Sequence, residues 1–370
     1  MRKEGVLPSQ TIIQMIDNGI IVGGEKGNVN PASLDVSVCG DEVYRLDSNF
    51  LLRDKECVRG VLPYVGVSKH NLSNPLEKGI VYLARVKETI HLSKLTGVYG
   101  FSNPKSSSGR VDVHVRLIAD GVPRYDTIPR GGYNGNLWMT ILPNSFPVKI
   151  SDGERLAQIR FFDADTRLGE TELNLGLMSG LVFDKDGNRF SQMYLAVNDN
   201  DESIILTADL SSKPIIGYEC RGTNTIFDFS VLGQDSSMFF RPIPNDETNN
   251  GRGGIILRRN CFYILSVNEY VRVPPALSCV MMPMDERSGE FRAHYAGFID
   301  PGWGYGIDGT KNGSPLTLEV RPFEDLCIRH GQPIAKIYFE RMAEVPFHHY
   351  DELDTSHYRA QYGPELSKHF

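Results

Sequence analysis

The feature that most narrows what this chain can fold into is an internal duplication. Tyr82-Leu83-Ala84-Arg85-Val86-Lys87-Glu88-Thr89-Ile90-His91-Leu92 lies over Tyr263-Ile264-Leu265-Ser266-Val267-Asn268-Glu269-Tyr270-Val271-Arg272-Val273 without a gap. Matching tyrosines, a shared Val-x-Glu and alternating apolar residues in one register specify two copies of one β-rich unit. One extra residue in the second copy brings Leu95 onto Leu277, and Lys105-Ser106-Ser107-Ser108-Gly109-Arg110 then falls on Arg287-Ser288-Gly289-Glu290-Phe291-Arg292. The copies diverge beyond that point. The second has the turn Ile299-Asp300-Pro301-Gly302-Trp303 and the strand Leu316-Thr317-Leu318-Glu319-Val320. The first has Ile128-Pro129-Arg130-Gly131 and Leu137-Trp138-Met139-Thr140-Ile141, with both acids lost.

At 370 residues and 41% apolar, the chain can build two cores. The polar run Asn198-Asp199-Asn200-Asp201-Glu202 places the division between residues 1–197 and 198–370. Short β-branched and aromatic runs, with 36 glycines and 21 prolines between them, predict a mainly β protein with few helices. Strands are expected from Asn30 to about Phe162, forming a barrel or roll, and a hairpin over Val182 to Phe190. The clearest helix spans Leu7 to Gly19, with Ser9 as its N-cap.

A net charge of −7 argues against nucleic acid or an acidic membrane surface as partner, so an anionic ligand must be met by local cations. Six cysteines, none in a C-x-x-C pair, signal neither a zinc site nor a disulfide framework. No apolar stretch follows Met1-Arg2-Lys3-Glu4 as a leader would require, and none is long enough to span a bilayer, so a cytoplasmic protein is expected.

Arg287 and Arg292 around Ser288, echoed by Lys105 and Arg110 around Ser106 and Ser107, suit an anion with several oxygens. Guanidinium forks match phosphate geometry, and a hydroxyl both donates and accepts. Asp300 at the mouth of a turn and Glu319 in an apolar strand are carboxylates that must be satisfied or put to use. A polyphosphate clamp followed by two carboxylates on a hairpin points to nucleotide hydrolysis. His348, His349 and His357 lack acid or cysteine ligands at metal-binding spacing and read as tail residues.

These residues together resemble the dCTP deaminases and their relatives, the trimeric dUTPases. The resemblance rests on Lys105-Ser106-Ser107 with Arg110, Arg287-Ser288 with Arg292, Ile299-Asp300-Pro301-Gly302-Trp303 and Leu318-Glu319. A tail of Tyr350 with Tyr358-Arg359-Ala360-Gln361-Tyr362-Gly363 completes it. It implies two distorted, jelly-roll-like β-barrels of dUTPase type, the C-terminal tail acting as a lid, and sites formed where subunits of a homo-oligomer meet. It also implies deamination of dCTP to dUTP and ammonia. Glu319 would be general base and proton shuttle, helped by Ser288 or Ser106 with Arg292 or Arg110. Asp300, beside the Trp303 anchor, would take the deoxyribose. Arg287, Lys105, Ser107, Tyr350 and Gln361 would take the triphosphate, with magnesium bridging its oxygens. The zinc deaminase signature is missing from the sequence, so a carboxylate without zinc is the consistent reaction centre.

The sequence departs from the family pattern in three places: Gly289 replaces the second serine, a polar Asp308-to-Gly313 loop swells the hairpin, and His357 stands in place of a lysine. Whether that loop covers the site or only lengthens an exposed hairpin stays open. Two other activities are compatible with the motifs: cleavage of dUTP, alone or in addition, and a nucleotide-binding regulator whose catalysis has decayed. Because each copy keeps what the other lacks, Ser106, Ser107 and Arg110 are expected to serve Asp300 and Glu319; a second copy sufficient in itself is the alternative.

Overall fold

The computed structural model describes residues 4–189, 199, 201–249, 251, 253–284, 291–292, 297–354 and 356–370, with backbone only at 291–292. These residues form two compact units. One comprises Met1–Asp165, Gly222–Phe239 and Ser367–Phe370; the other comprises Thr166–Arg221 and Phe240–Leu366.

Alternating apolar residues make the first unit a strongly bent sheet. Its strand order, among the described residues, runs Val113–Ala119, Asn134–Pro143, Val81–His91, Leu34–Leu46, Arg155–Phe162, Tyr99–Pro104 and Thr127–Ile128. All pairings along it are antiparallel. The second unit repeats the scheme: Ile204–Thr207, Pro333–Arg341, Leu277–Met282 and Phe298–Ile299 follow in that order, and Tyr263–Val271 pairs with Ser314–Pro322. The mainly β, barrel-like architecture expected from the sequence is present in both.

The duplication extends to individual hydrogen bonds. The Tyr82 hydroxyl accepts from the Glu77 amide at 2.9 Å, and the Tyr263 hydroxyl from the Arg258 amide at 2.8 Å. Glu88 accepts from the Ser37 amide at 2.9 Å, and Glu269 from the Thr207 amide at 2.8 Å. Burial raises both carboxyl pKa values. These two acids pin neighbouring strands, and their recurrence in both copies marks them as structural.

Strand register corrects one part of the sequence alignment. Ala157 faces Val36 as Ala335 faces Leu206, and Phe161 faces Gly100 as Phe339 faces Cys279. Leu277 therefore falls on Val98, not on Leu95, and Pro283 on Pro104. The basic motifs coincide only if the second copy is longer in the stretch that follows Pro283, most of which lies outside the described residues. The site strands keep the expected register: Thr140 faces Leu83 as Glu319 faces Ile264, and Ile128 faces Gly100 as Ile299 faces Cys279.

A boundary at 197 would leave residues 166–189 in the first barrel, yet they pack in the second unit. Val182 pairs with Val271, and the Leu168 amide donates to the Phe339 carbonyl at 3.0 Å. The hairpin after Val182 is present, closed by the Asp184 amide donating to the Asn188 carbonyl at 2.9 Å. The first helix, Ser9–Asp17, starts one residue earlier than a Ser9 cap implies. Pro8 is the N-cap, its carbonyl accepting from Thr11 and Ile12, while the Ser9 hydroxyl turns to Gln10. Gly19 ends it at φ +66°, as read.

Candidate active site

In the second unit the strand Ser314–Pro322 turns Leu316, Leu318 and Val320 into the core. Thr317 and Glu319 lie on its other face. Glu319 is only 3% exposed. A carboxylate at that depth is costly unless the site uses or satisfies it.

The hairpin before this strand is fixed by its backbone. Gly302 donates to the Val273 carbonyl at 2.9 Å and Val273 to the Trp303 carbonyl at 2.9 Å. Trp303 is buried in the core cluster and Asp300 is half-buried at the turn. The tail closes over the hairpin. Tyr350 donates its amide to the Pro301 carbonyl at 2.8 Å, its ring lies 5.2 Å from that of Trp303, and Asp351 accepts from the Gly306 amide at 2.8 Å.

The polar loop takes part as well. Lys311 donates to the Arg359 carbonyl at 2.8 Å, and Arg272 to the Gly309 carbonyl at 2.6 Å. The loop thus touches the tail through Lys311. Further on, the Gln361 side-chain amide donates to the Pro315 carbonyl at 2.7 Å. The Thr317 hydroxyl donates to the Gly363 carbonyl at 3.4 Å, so the tail crosses the strand face that carries Glu319. Tyr362 sits under the Lys213 ammonium, 3.4 Å from the ring centroid.

Sequence reasoning passed over His349. Its ring rests against Gly302, where an added Cβ would lie 2.3 Å from Nδ1. Gly302 also has φ +90°, a conformation that disfavours any side chain. Gly302→Ala is expected to cost about 1–3 kcal/mol and to loosen the tail. A lower urea midpoint together with faster proteolysis within 349–363 checks this; an unchanged midpoint contradicts the clasp.

In the first unit the Lys105-to-Arg110 motif is a short helical turn, Ser106–Gly109, following the strand Tyr99–Pro104. The Lys105 carbonyl accepts from the Ser108 and Gly109 amides, each at 2.9 Å, and the Ser106 carbonyl from the Arg110 amide at 2.9 Å. Ser107 and Arg110 are buried, while Lys105 and Ser106 are half-buried. Lys105 forms an ion pair with Asp35, an acid the sequence did not single out because it lies in an ordinary strand. Pro129 and Thr140 take the positions of Asp300 and Glu319, so this copy pairs an intact basic turn with an acid-free hairpin.

Arg287 and Ser288 lie outside the described residues. Arg292 is described by its backbone alone, paired with Arg321 next to the Glu319 strand. Among the candidates the structure therefore gathers Trp303, Tyr350 and Gln361 around the Asp300 hairpin and the Glu319 strand in the second unit. It gathers Lys105, Ser106, Ser107 and Arg110 in the first.

Comparison with known proteins names this arrangement. The family profile for the 2'-deoxycytidine 5'-triphosphate deaminase N-terminal domain matches residues 3–165, and that for its C-terminal domain matches residues 184–370. The chain belongs to the dCTP deaminase family. Among solved structures it is similar to 2'-deoxycytidine 5'-triphosphate deaminase from Agrobacterium tumefaciens. Identity is 33%, coverage is 93% of this chain and 97% of that one, and the TM-score is 0.81. No curated protein matches by sequence. Among the described residues no helix is long and apolar enough to cross a membrane, and no two of the six cysteines are joined.

Proposed function

We infer that this protein hydrolyses dCTP to dUTP and ammonia. The observation that carries this reading is Glu319, a buried carboxylate on a strand face crossed by the tail, in a chain of dCTP deaminase architecture. Replacing the exocyclic amine by hydroxyl needs one group that takes a proton from water and returns protons to the ring nitrogen and the departing ammonia. Glu319 performs that shuttle. Ser106 and Arg110, with Ser288 and Arg292 as their counterparts, hold the attacking water and the charge that develops. Asp300 takes the deoxyribose hydroxyl beside Trp303. Lys105, Ser107, Arg287, Tyr350 and Gln361 serve the triphosphate.

Magnesium enters as the companion of the nucleotide. The described residues gather no group of three or more His, Cys, Asp or Glu side chains suited to hold it, whereas a triphosphate offers its own oxygens. Its contribution is neutralisation of phosphate charge. Paired serine and arginine sets in two copies are the basis for a homo-oligomer, and six cysteines without a disulfide for a cytoplasmic setting.

Incubation with dCTP followed by product analysis tests the reading. Ammonia and dUTP are expected in equal amounts, with no pyrophosphate. Pyrophosphate formed along with dUMP assigns the protein a diphosphatase activity, and no ammonia from any deoxynucleotide makes it a binding protein.

A further inference from the structure

The first unit recruits residues from far along the chain. Segment Ser367–Phe370 packs onto it, together with Gly222–Phe239. The Phe370 ring lies 5.4 Å from that of Phe227 and 5.6 Å from that of Phe239, and the His369 ring 5.4 Å from both Phe227 and Phe229. The His369 carbonyl accepts from the Gln234 amide at 2.8 Å. Nδ1 of His369 donates to the Val231 carbonyl at 3.2 Å. These contacts leave little freedom to the residue between them and Ser367. The Ser367 hydroxyl in turn donates to the carbonyl of Ser107, inside the phosphate motif, at 3.2 Å.

Lys368 is thereby delivered to the Lys105-to-Arg110 turn, where Arg155 also stands. Arg155 follows Glu154 on the strand whose Leu156 carbonyl accepts from the Lys105 amide at 2.9 Å. Burial, with the charges of Lys105 and Arg155, holds the Lys368 ammonium below the usual lysine range. Two carboxylates share the neighbourhood. Asp35 is engaged with Lys105 and with the Asn30 side-chain amide at 2.9 Å; burial raises the pKa of Glu154, which makes it a weaker counter-ion. Lys105, Arg155 and Lys368 thus meet beside the turn that Arg110 closes, with Asp35 and Glu154 as acidic neighbours. Gathering like charges in a half-buried place is unfavourable in the free protein, and a multiply charged anion reverses the sign.

We propose that Lys368 is a substrate-binding residue that holds the polyphosphate of the nucleotide at the Lys105-Ser106-Ser107 turn, set in place by the Ser367 hydroxyl and the aromatic seat of His369 and Phe370. This deepens the deaminase reading by adding a cation that lies outside the tail motif. The side chain acts on phosphate and not on the base, so it stabilises ground state and transition state alike. Its loss therefore raises KM and leaves kcat near its original value.

The test compares wild type with Lys368→Gln, which keeps most of the stem, and with Lys368→Arg, which keeps the charge. Lys368→Gln is expected to raise KM for dCTP and Kd for inorganic tripolyphosphate about tenfold, the scale of one water-screened charge-assisted hydrogen bond. Lys368→Arg restores most of both, and affinity for deoxycytidine, which has no phosphate, is the same in all three. A purely structural role would weaken deoxycytidine binding equally and overturns the proposal. Unchanged tripolyphosphate affinity in Lys368→Gln overturns it even if the protein deaminates dCTP. Weakened tripolyphosphate affinity upholds it even if wild type releases no ammonia, in which case the deaminase reading alone has failed.

Discussion

Glu319→Gln lowers ammonia release from dCTP by about 10²–10⁴-fold, the range for loss of a positioned general acid–base group, while dCTP still binds. Glutamine preserves shape and hydrogen-bonding reach but cannot carry a proton between water, ring nitrogen and leaving amine. The side chain is 3% exposed on a strand locked against Tyr263–Val271, so the substitution neither opens a cavity nor frees a loop. Single-turnover measurement with binding followed separately isolates the chemical step. Thr140, in the same register of the first copy, supplies an internal control: Thr140→Val leaves turnover within a few-fold of wild type, because that strand has no proton to move. Full turnover in Glu319→Gln would remove Glu319 from the mechanism and favour a regulator or a different base.

What the sequence made legible follows from the range of each signal. Tyr82 and Tyr263, Glu88 and Glu269, and Thr140 and Glu319 were placed correctly because strand registry is written locally, in period-two alternation. The alignment slipped only between Leu92 and Lys105, where turns of unequal length separate the strands and no alternation carries the register across. The division of the chain was hidden for another reason. Phe227 pairs in parallel with Val148, and Phe370 seats on Phe227 and Phe239. Contacts of that sequence separation leave no periodic trace, so a cut at a polar run could not anticipate them. Lys368 and Asp35 escaped notice likewise: each matters through a neighbour distant in sequence, and a lone lysine or a strand aspartate resembles many solvated charges. His349 was set aside as a failed metal ligand; the usable signal was Gly302, a glycine whose missing side chain makes room for a ring.

Arg110→Ala is expected to reduce kcat for dCTP about 10²–10³-fold, the cost of deleting one preorganised donor to developing charge, whereas Arg292→Ala costs less than about tenfold. The expectation rests on how Arg110 is held. Arg110 is 4% exposed and closes a turn whose carbonyls are already bonded to its own amides. Asp112 just beyond it, at φ +56° and fully buried, accepts from the Ser145 hydroxyl and fixes the exit of the chain. A guanidinium set in this way needs no reorganisation when charge appears on the attacking water. The second copy has Gly289 where a serine would stand. Duplication followed by loss of Asp300 and Glu319 equivalents in the first copy would ordinarily release its serines and Arg110 from any constraint. They form a bonded turn in which Ser107 and Arg110 are buried. If Arg292→Ala alone abolishes turnover and Arg110→Ala is silent, the second copy is sufficient and the first serves only to bind phosphate.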